Sequence, residues 1–322
     1  MTTISRRHFL AGVGAMAVLA ACGSDDDATA SGSASRRDTA SGATRKITTD
    51  NGVLEVPQKP QRVVAAIGSF ETDMVAVGVM PVLTTSFAGP WVDLDDDVVI
   101  TENIPPTAEE LARVRPDLIV GWNWVTTEPV YDEMVKLAPY AGLGETQATA
   151  GAGVDNGRYY SWNALFLSVA DAVGRRSQAE KLVADFERRV EALAARRAGR
   201  PALRVARVEF HEPGSFSYRG QNEDTAELMR RIGLSVVGPD KSSNEESLER
   251  LPEIDADLLI VPVGGGMPPE VFADVQKTAL WQAIPAVQAG RVEQVDGELW
   301  PGLGYLWANA LLSDLERLFA DR

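Results

Sequence analysis

The feature that most constrains this chain is one long helical stretch set between two runs of alternating strands and helices. From Ser177 onward, Leu182, Val183, Phe186, Val190 and Leu193 recur at spacings of three and four, the period of an amphipathic helix. Ser177 and Glu180 read as a capping box at its start. The stripe runs to about Ala198, a length of roughly 30 Å at the rise of an α-helix. It closes on Arg196, Arg197 and Arg200 before Pro201, cations where the helix dipole favours them. A shorter stripe precedes it, from Trp162 through Leu165, Phe166 and Val169 to Val173, and Gly174 separates the two.

On either side the periods switch between two and about 3.6. Residues 62–67 read as a strand, 70–77 as a helix, 116–121 as a buried strand and 128–137 as a helix. Thr107 and Glu110 give a capping box for a helix between them. After Pro201 come strands at 203–210, 257–263 and 292–295, and helices at 225–232, 247–251 and 306–319. Such alternation favours largely parallel sheets flanked by helices. The predicted fold is α/β: an N-terminal lobe over 47–176, a linker helix over 177–199 and a C-terminal lobe over 200–322. A length of 322 residues with 45% apolar content suffices for two cores.

Residues 1–21 read as an export signal rather than as structure. Arg6 and Arg7 stand before Phe9 and Leu10 in the manner of a twin-arginine signal. The apolar run from Leu10 to Ala21 is 12 residues long, short of the roughly 20 a membrane span needs. It ends Leu19-Ala20-Ala21-Cys22, which resembles the lipobox at which bacterial lipoproteins are cleaved and lipidated. Residues 22–46 then read as a lipidated Cys22 and a flexible tether, rich in Gly, Ser, Ala, Thr and charge. Cleavage before Cys22 would remove two Arg, taking the formal −15 to −17. The tether's four acids and four bases cancel, so all of that charge falls on residues 47–322.

An acidic balance of 46 Asp+Glu against 31 Lys+Arg argues against nucleic acid as a partner. One Cys and two His exclude an intrachain disulfide, a Cys-based zinc site and a His-cluster metal site. No direct metal ligands and no resident cofactor are expected. His211 lacks the Gly-x-Ser-x-Gly elbow of a hydrolase, so it reads as a structural His and the chain as a non-enzyme. Gly264-Gly265-Gly266 lacks the Lys and Ser/Thr of a phosphate loop and reads as a turn.

Several segments resemble, in order and spacing, the solute-binding lipoproteins of iron–siderophore ABC importers, whose two lobes are joined by a single rigid helix. They are residues 60–64, 107–121, 131–139, 247–259 and 280–292. The resemblance spans 47–322 and implies a receptor that binds a ferric siderophore between its lobes and delivers it to an ABC permease. Haem or cobalamin is the alternative ligand on the same fold, and a secreted hydrolase the remotest reading. The implied location is the outer face of the cytoplasmic membrane, held there by lipid on Cys22, with the protein a monomer.

For the ligand site this reading selects aromatics in loops that should follow strands: Trp91, Trp122, Trp124, Tyr159, Tyr160, Tyr218 and Trp300. Indole faces pack on the organic rim of a chelate, and their N–H groups donate to its oxygens. Arg219 is the expected charged anchor, a rigid donor fork for chelate oxygens. Around Glu102-Asn103-Ile104, where relatives would supply an Arg, there is none. In the family a surface carboxylate on each lobe docks on the permease. The matching residues are Glu249 in the second lobe, and Glu71 with Asp73 in reserve in the first.

Overall fold

The computed structural model describes residues 43–67, 70–85, 92–144, 162–221 and 223–322. The chain opens with strands β1 (Thr44–Thr49) and β2 (Gly52–Pro57), an antiparallel hairpin. Gly52 takes φ 108° at the turn, a backbone region that costs glycine little. The tether therefore stops short of residue 46. Arg45, expected to be solvated, instead donates to the carbonyls of Asp171 and Ala172, the latter at 2.7 Å. With Arg45 and Lys46 inside the fold, residues 44–322 carry 27 Lys+Arg and 42 Asp+Glu, a net −15.

The first lobe follows. Strands β3 (Val63–Ala65), β4 (Leu83–Thr85), β5 (Val99–Thr101), β6 (Leu118–Trp122) and β7 (Tyr140–Leu143) form one sheet. Its order is β5-β4-β3-β6-β7 and every pairing is parallel. Helices α1 (Phe70–Ala76), α2 (Ala108–Val114) and α3 (Tyr131–Leu137) cover it. The expected capping box at α2 is present in full. Thr107 Oγ1 accepts from the Glu110 N–H at 3.3 Å, and Glu110 Oε2 accepts from the Thr107 N–H at 2.8 Å. Desolvation works against the Glu110 charge, but hydrogen bonds from Thr101, Thr107 and Asn103 outweigh it and hold its pKa at about 2. Thr107→Ala should cost about 1 kcal/mol, read as a lower urea midpoint at neutral pH.

Helices α4 (Trp162–Ala172) and α5 (Arg176–Arg197) correspond to the two stripes. The capping box predicted from Ser177 and Glu180 does not form. The helix starts a residue earlier, behind Arg175 with no side-chain cap, and Glu180 instead pairs with Arg176 at 3.0 Å. Along its 22 residues α5 is fastened to its neighbours. Phe186 meets the edge of Trp162 at 4.7 Å, and Arg197 Nε donates to Ile232 O at 2.9 Å.

The second lobe contains β8 (Arg204–Glu209), β9 (Ser215–Tyr218), β10 (Ser235–Val237), β11 (Ser243–Ser247), β12 (Leu258–Val263) and β13 (Val292–Asp296). Helices α6 (Asp224–Arg231), α7 (Pro269–Val275), α8 (Ala279–Gln282), α9 (Pro285–Gln288) and α10 (Tyr305–Phe319) surround them. This sheet is mixed, with three parallel pairings and two antiparallel ones. Strand β8 pairs parallel with β12 and β10, but its C-terminal end turns antiparallel onto β9, which pairs antiparallel with β11. Pairing with β9 moves the end of β8 out of the parallel frame and brings Tyr218 opposite Val208.

Three residues expected at a surface or a cleft are core. Glu71 is fully buried and Asp73 is 1% exposed. Thr84 Oγ1 donates to Glu71 at 3.4 Å, and Asp73 Oδ1 accepts the Tyr305 N–H at 2.7 Å. Neither carboxylate is on the surface for docking: Glu71 faces Thr84 of β4, and Asp73 faces the start of α10. Asp73 thereby caps α10, whose own N-cap Gly304 offers no side chain. Trp300 is likewise fully buried, with Nε1 donating to Asp314 Oδ2 at 2.8 Å, so its ring faces protein rather than a cleft.

Candidate functional site

In a parallel α/β sheet, strand carboxyl ends are where loops diverge and ligands bind. Trp122 is the last residue of β6 and Trp124 lies just beyond it, on a 3-10 helix over Asn123–Thr127 rather than in an irregular loop. Trp122 is half-buried, its ring edge-on to Phe70 at 5.1 Å, and its carbonyl accepts the Tyr140 hydroxyl at 2.9 Å. Trp124 is 41% exposed and carries no ring partner in the described part. Of the two indoles, Trp124 is the one free to meet a ligand without unpacking the lobe. Trp91, Tyr159 and Tyr160 lie outside the described residues.

In the second lobe the alternation of β8 builds a charged face. Ala206, Val208 and Phe210 pack into one apolar cluster. Arg207 and Glu209, two residues apart, share the opposite face. The antiparallel pairing sets Tyr218 opposite Val208, and the Arg219 N–H donates to Arg207 O at 3.1 Å. Arg219 is thus laid against Glu209, and the two form an ion pair. Glu209 Oε1 also lies 3.2 Å from Arg207 Nε, and Glu223 Oε2 accepts from Arg207 Nη2 at 2.6 Å.

Arg219, expected as the charged anchor for ligand, is ion-paired within this set, in which Glu209 is fully buried and Arg207 5% exposed. Tyr218 is half-buried beside Phe216, and burial pushes its hydroxyl pKa up. His211 is held at both ring nitrogens, 3.1 Å from Gly266 O and 3.3 Å from Glu209 Oε2. The Gly264–Gly266 segment is a turn, bridged by Gly264 and Met267. Glu249 is exposed at the start of the 3-10 helix over Leu248–Glu253. Sequence reasoning missed Arg207, Glu209 and Glu223. The available signal was two opposite charges spaced by two inside a strand, which cannot be buried unpaired.

The match to known families decides what this arrangement belongs to. A periplasmic binding protein family model matches residues 63–299. The chain belongs to the periplasmic binding protein family. Over 327 aligned residues it is 28% identical to the "Probable siderophore-binding lipoprotein YfiY" of Bacillus subtilis, covering 95% of both chains. The same fold occurs in a periplasmic solute binding protein of Mycobacterium smegmatis. There the TM-score is 0.69 at 19% identity, over 86% of this chain and 98% of that one. It also occurs in Staphylococcus aureus SirA complexed with staphyloferrin B. The TM-score there is 0.65 at 21% identity, over 85% of this chain and 98% of that one. In this periplasmic binding protein two α/β sheets flank one long helix in chain order.

Proposed function

We propose that the protein is a lipid-anchored extracytoplasmic receptor that binds a ferric siderophore and passes it to an ABC permease. The observation that carries this reading is the end-to-end likeness to a lipoprotein named for siderophore binding, at 95% of both chains. The residues support it. Trp122 and Trp124 stand at a strand carboxyl end, and Tyr218 and Arg219 stand beside another. Binding needs no covalent step, so no residue is assigned a catalytic role. A haem reading would ask His211 for an axial bond, at the cost of contacts to Gly266 and Glu209. In this reading Cys22 carries the lipid, Arg6 and Arg7 direct export, and Glu249 is the docking carboxylate on the second lobe. Those first three residues lie outside the described part.

The test is intrinsic fluorescence, which seven Trp make sensitive. Titration with ferric tris-hydroxamate, tris-catecholate and citrate chelates should quench emission saturably with at least one of them. Trp124→Ala should weaken that binding about five- to tenfold, the worth of one aromatic contact. Its melting temperature should hold, because the ring is 41% exposed. No quenching by any ferric chelate, or a Soret shift with haem alone, would sink the proposal.

A further inference from the structure

We infer that the second lobe selects a ferric chelate without net negative charge, of the kind three hydroxamates give, over an anionic tris-catecholate. This rests on the receptor reading above and concerns which chelate that site accepts. Three singly charged hydroxamates cancel the ferric charge, whereas three doubly charged catecholates leave a trianion. A trianion needs cations that its host has not already neutralised.

The cluster at the end of β8 offers no such excess. Arg207 and Arg219 are its cations, and Glu209 and Glu223 are its carboxylates, so it sums to zero. Both guanidinium groups reach both acids. Arg207 lies 3.2 Å from Glu209 and 2.6 Å from Glu223. Arg219 pairs with Glu209 and lies 4.0 Å from Glu223 Oε1. The Ser242 hydroxyl donates to Glu223 and holds it in place. An incoming anion would have to compete with a carboxylate that is fully buried and cannot swing away.

The surroundings deepen the deficit. Among the described residues that close or follow parallel strands, Glu102, Glu212, Asp296 and Glu298 are exposed acids. Lys241, after β10, is neighboured by Asp240. All of this sits on a body of net −15. A neutral chelate feels none of this field and keeps the full benefit of its aromatic and hydrogen-bonding contacts.

Two measurements on the full chain test the inference. The first titrates the unaltered protein with a neutral ferric tris-hydroxamate and with a ferric tris-catecholate, each at low and high salt. The hydroxamate should bind at least about a hundredfold more tightly. The catecholate should bind better as salt screens the repulsion, since charges more than about 10 Å apart are largely screened near 0.1 M. The second uses Glu223→Gln, which leaves the cluster one positive charge in excess. The ratio of affinities should move about tenfold toward the catecholate. The salt series needs no variant, so a poorly folded Glu223→Gln does not shelter the idea. Equal or tighter catecholate binding, or catecholate binding that weakens with salt, overturns this inference alone. No binding of any ferric chelate overturns the receptor reading and this inference with it.

Discussion

Asp73→Asn is expected to stabilise the protein in alkaline solution and to flatten its dependence on pH. The Asp73 carboxyl is buried between α1 and α10, and that desolvation, with help from the neighbouring Glu71 charge, pushes its pKa to about 8. The Tyr305 N–H pulls the other way and does not win. An unfolded chain lets the same group ionise near 3.8. Between those values the fold holds a proton that the unfolded chain has lost, so stability falls as pH rises through the window. Its contribution is complete below 3.8 and gone above about 8. The loss is on the order of 6 kcal/mol, at ~1.4 kcal/mol for each tenfold change in proton affinity.

Asparagine keeps an oxygen for the Tyr305 N–H and never ionises. Its variant should therefore melt higher than the native chain at pH 9 and near it at pH 4. Asp73→Ala makes the contrast. It leaves the Tyr305 N–H buried without its acceptor, at a cost of roughly 1–3 kcal/mol at every pH. Asp224, raised to about 7 by burial and the Glu227 charge, should leave a shallower residual slope in the Asn variant. Melting curves from pH 4 to 9 that run parallel for native and Asp73→Asn proteins would show that Asp73 does not set the slope.

Trp300→Ala is expected to cost about 3–5 kcal/mol, the range for truncating a large core aromatic. Trp300 heads the fully buried side chains by volume. Its indole N–H bonds Asp314 on α10, and its carbonyl accepts from Arg207 Nη1 at 3.4 Å. Truncation opens a cavity and removes a partner from a carboxylate at once. Trp300→Phe keeps a six-membered ring in the site, so it opens a smaller cavity while still dropping the N–H. That variant should lose about 1–2 kcal/mol. Urea midpoints read both, and an Ala variant within about 1 kcal/mol of the native chain would contradict the assignment. Emission from Trp300 should also be indifferent to ligand, in contrast to Trp124.

The elements that sequence patterns predicted well are those stabilised by their own neighbours. The α2 capping box is a contact across three residues, so Thr107 and Glu110 are enough to foresee it. Helix α5 follows from a stripe repeated over 22 residues. The Ser177 box failed for a local reason too, since Arg176 offered Glu180 a better partner than a backbone N–H. The hairpin β1–β2 was hidden by composition, its first strand Thr-Arg-Lys-Ile-Thr-Thr reading as more of the polar tether. Of the candidate site, Trp124 lies just past a strand end as the strand assignment implied, whereas Trp122 closes β6 and Tyr218 closes β9, a strand the sequence pattern did not reveal. Nor did it reveal the cluster that surrounds Arg219, because Glu209 and Glu223 reach it through sheet pairing and a helix start.

By itself, then, the sequence determined the alternation of strands and helices, the long helix between two runs, and the resemblance to a siderophore-binding family. These rest on periodicity, which is a property of contiguous residues. Only the tertiary structure decided that Glu71, Asp73 and Trp300 are core, and that Arg219 is ion-paired. A seven-residue helix such as α1 shows an apolar face to a reader of its sequence. Whether its other face meets water or a second helix depends on α10, which lies 232 residues further along. Burial is set by what arrives from elsewhere in the chain, and so are the charge states that follow from it.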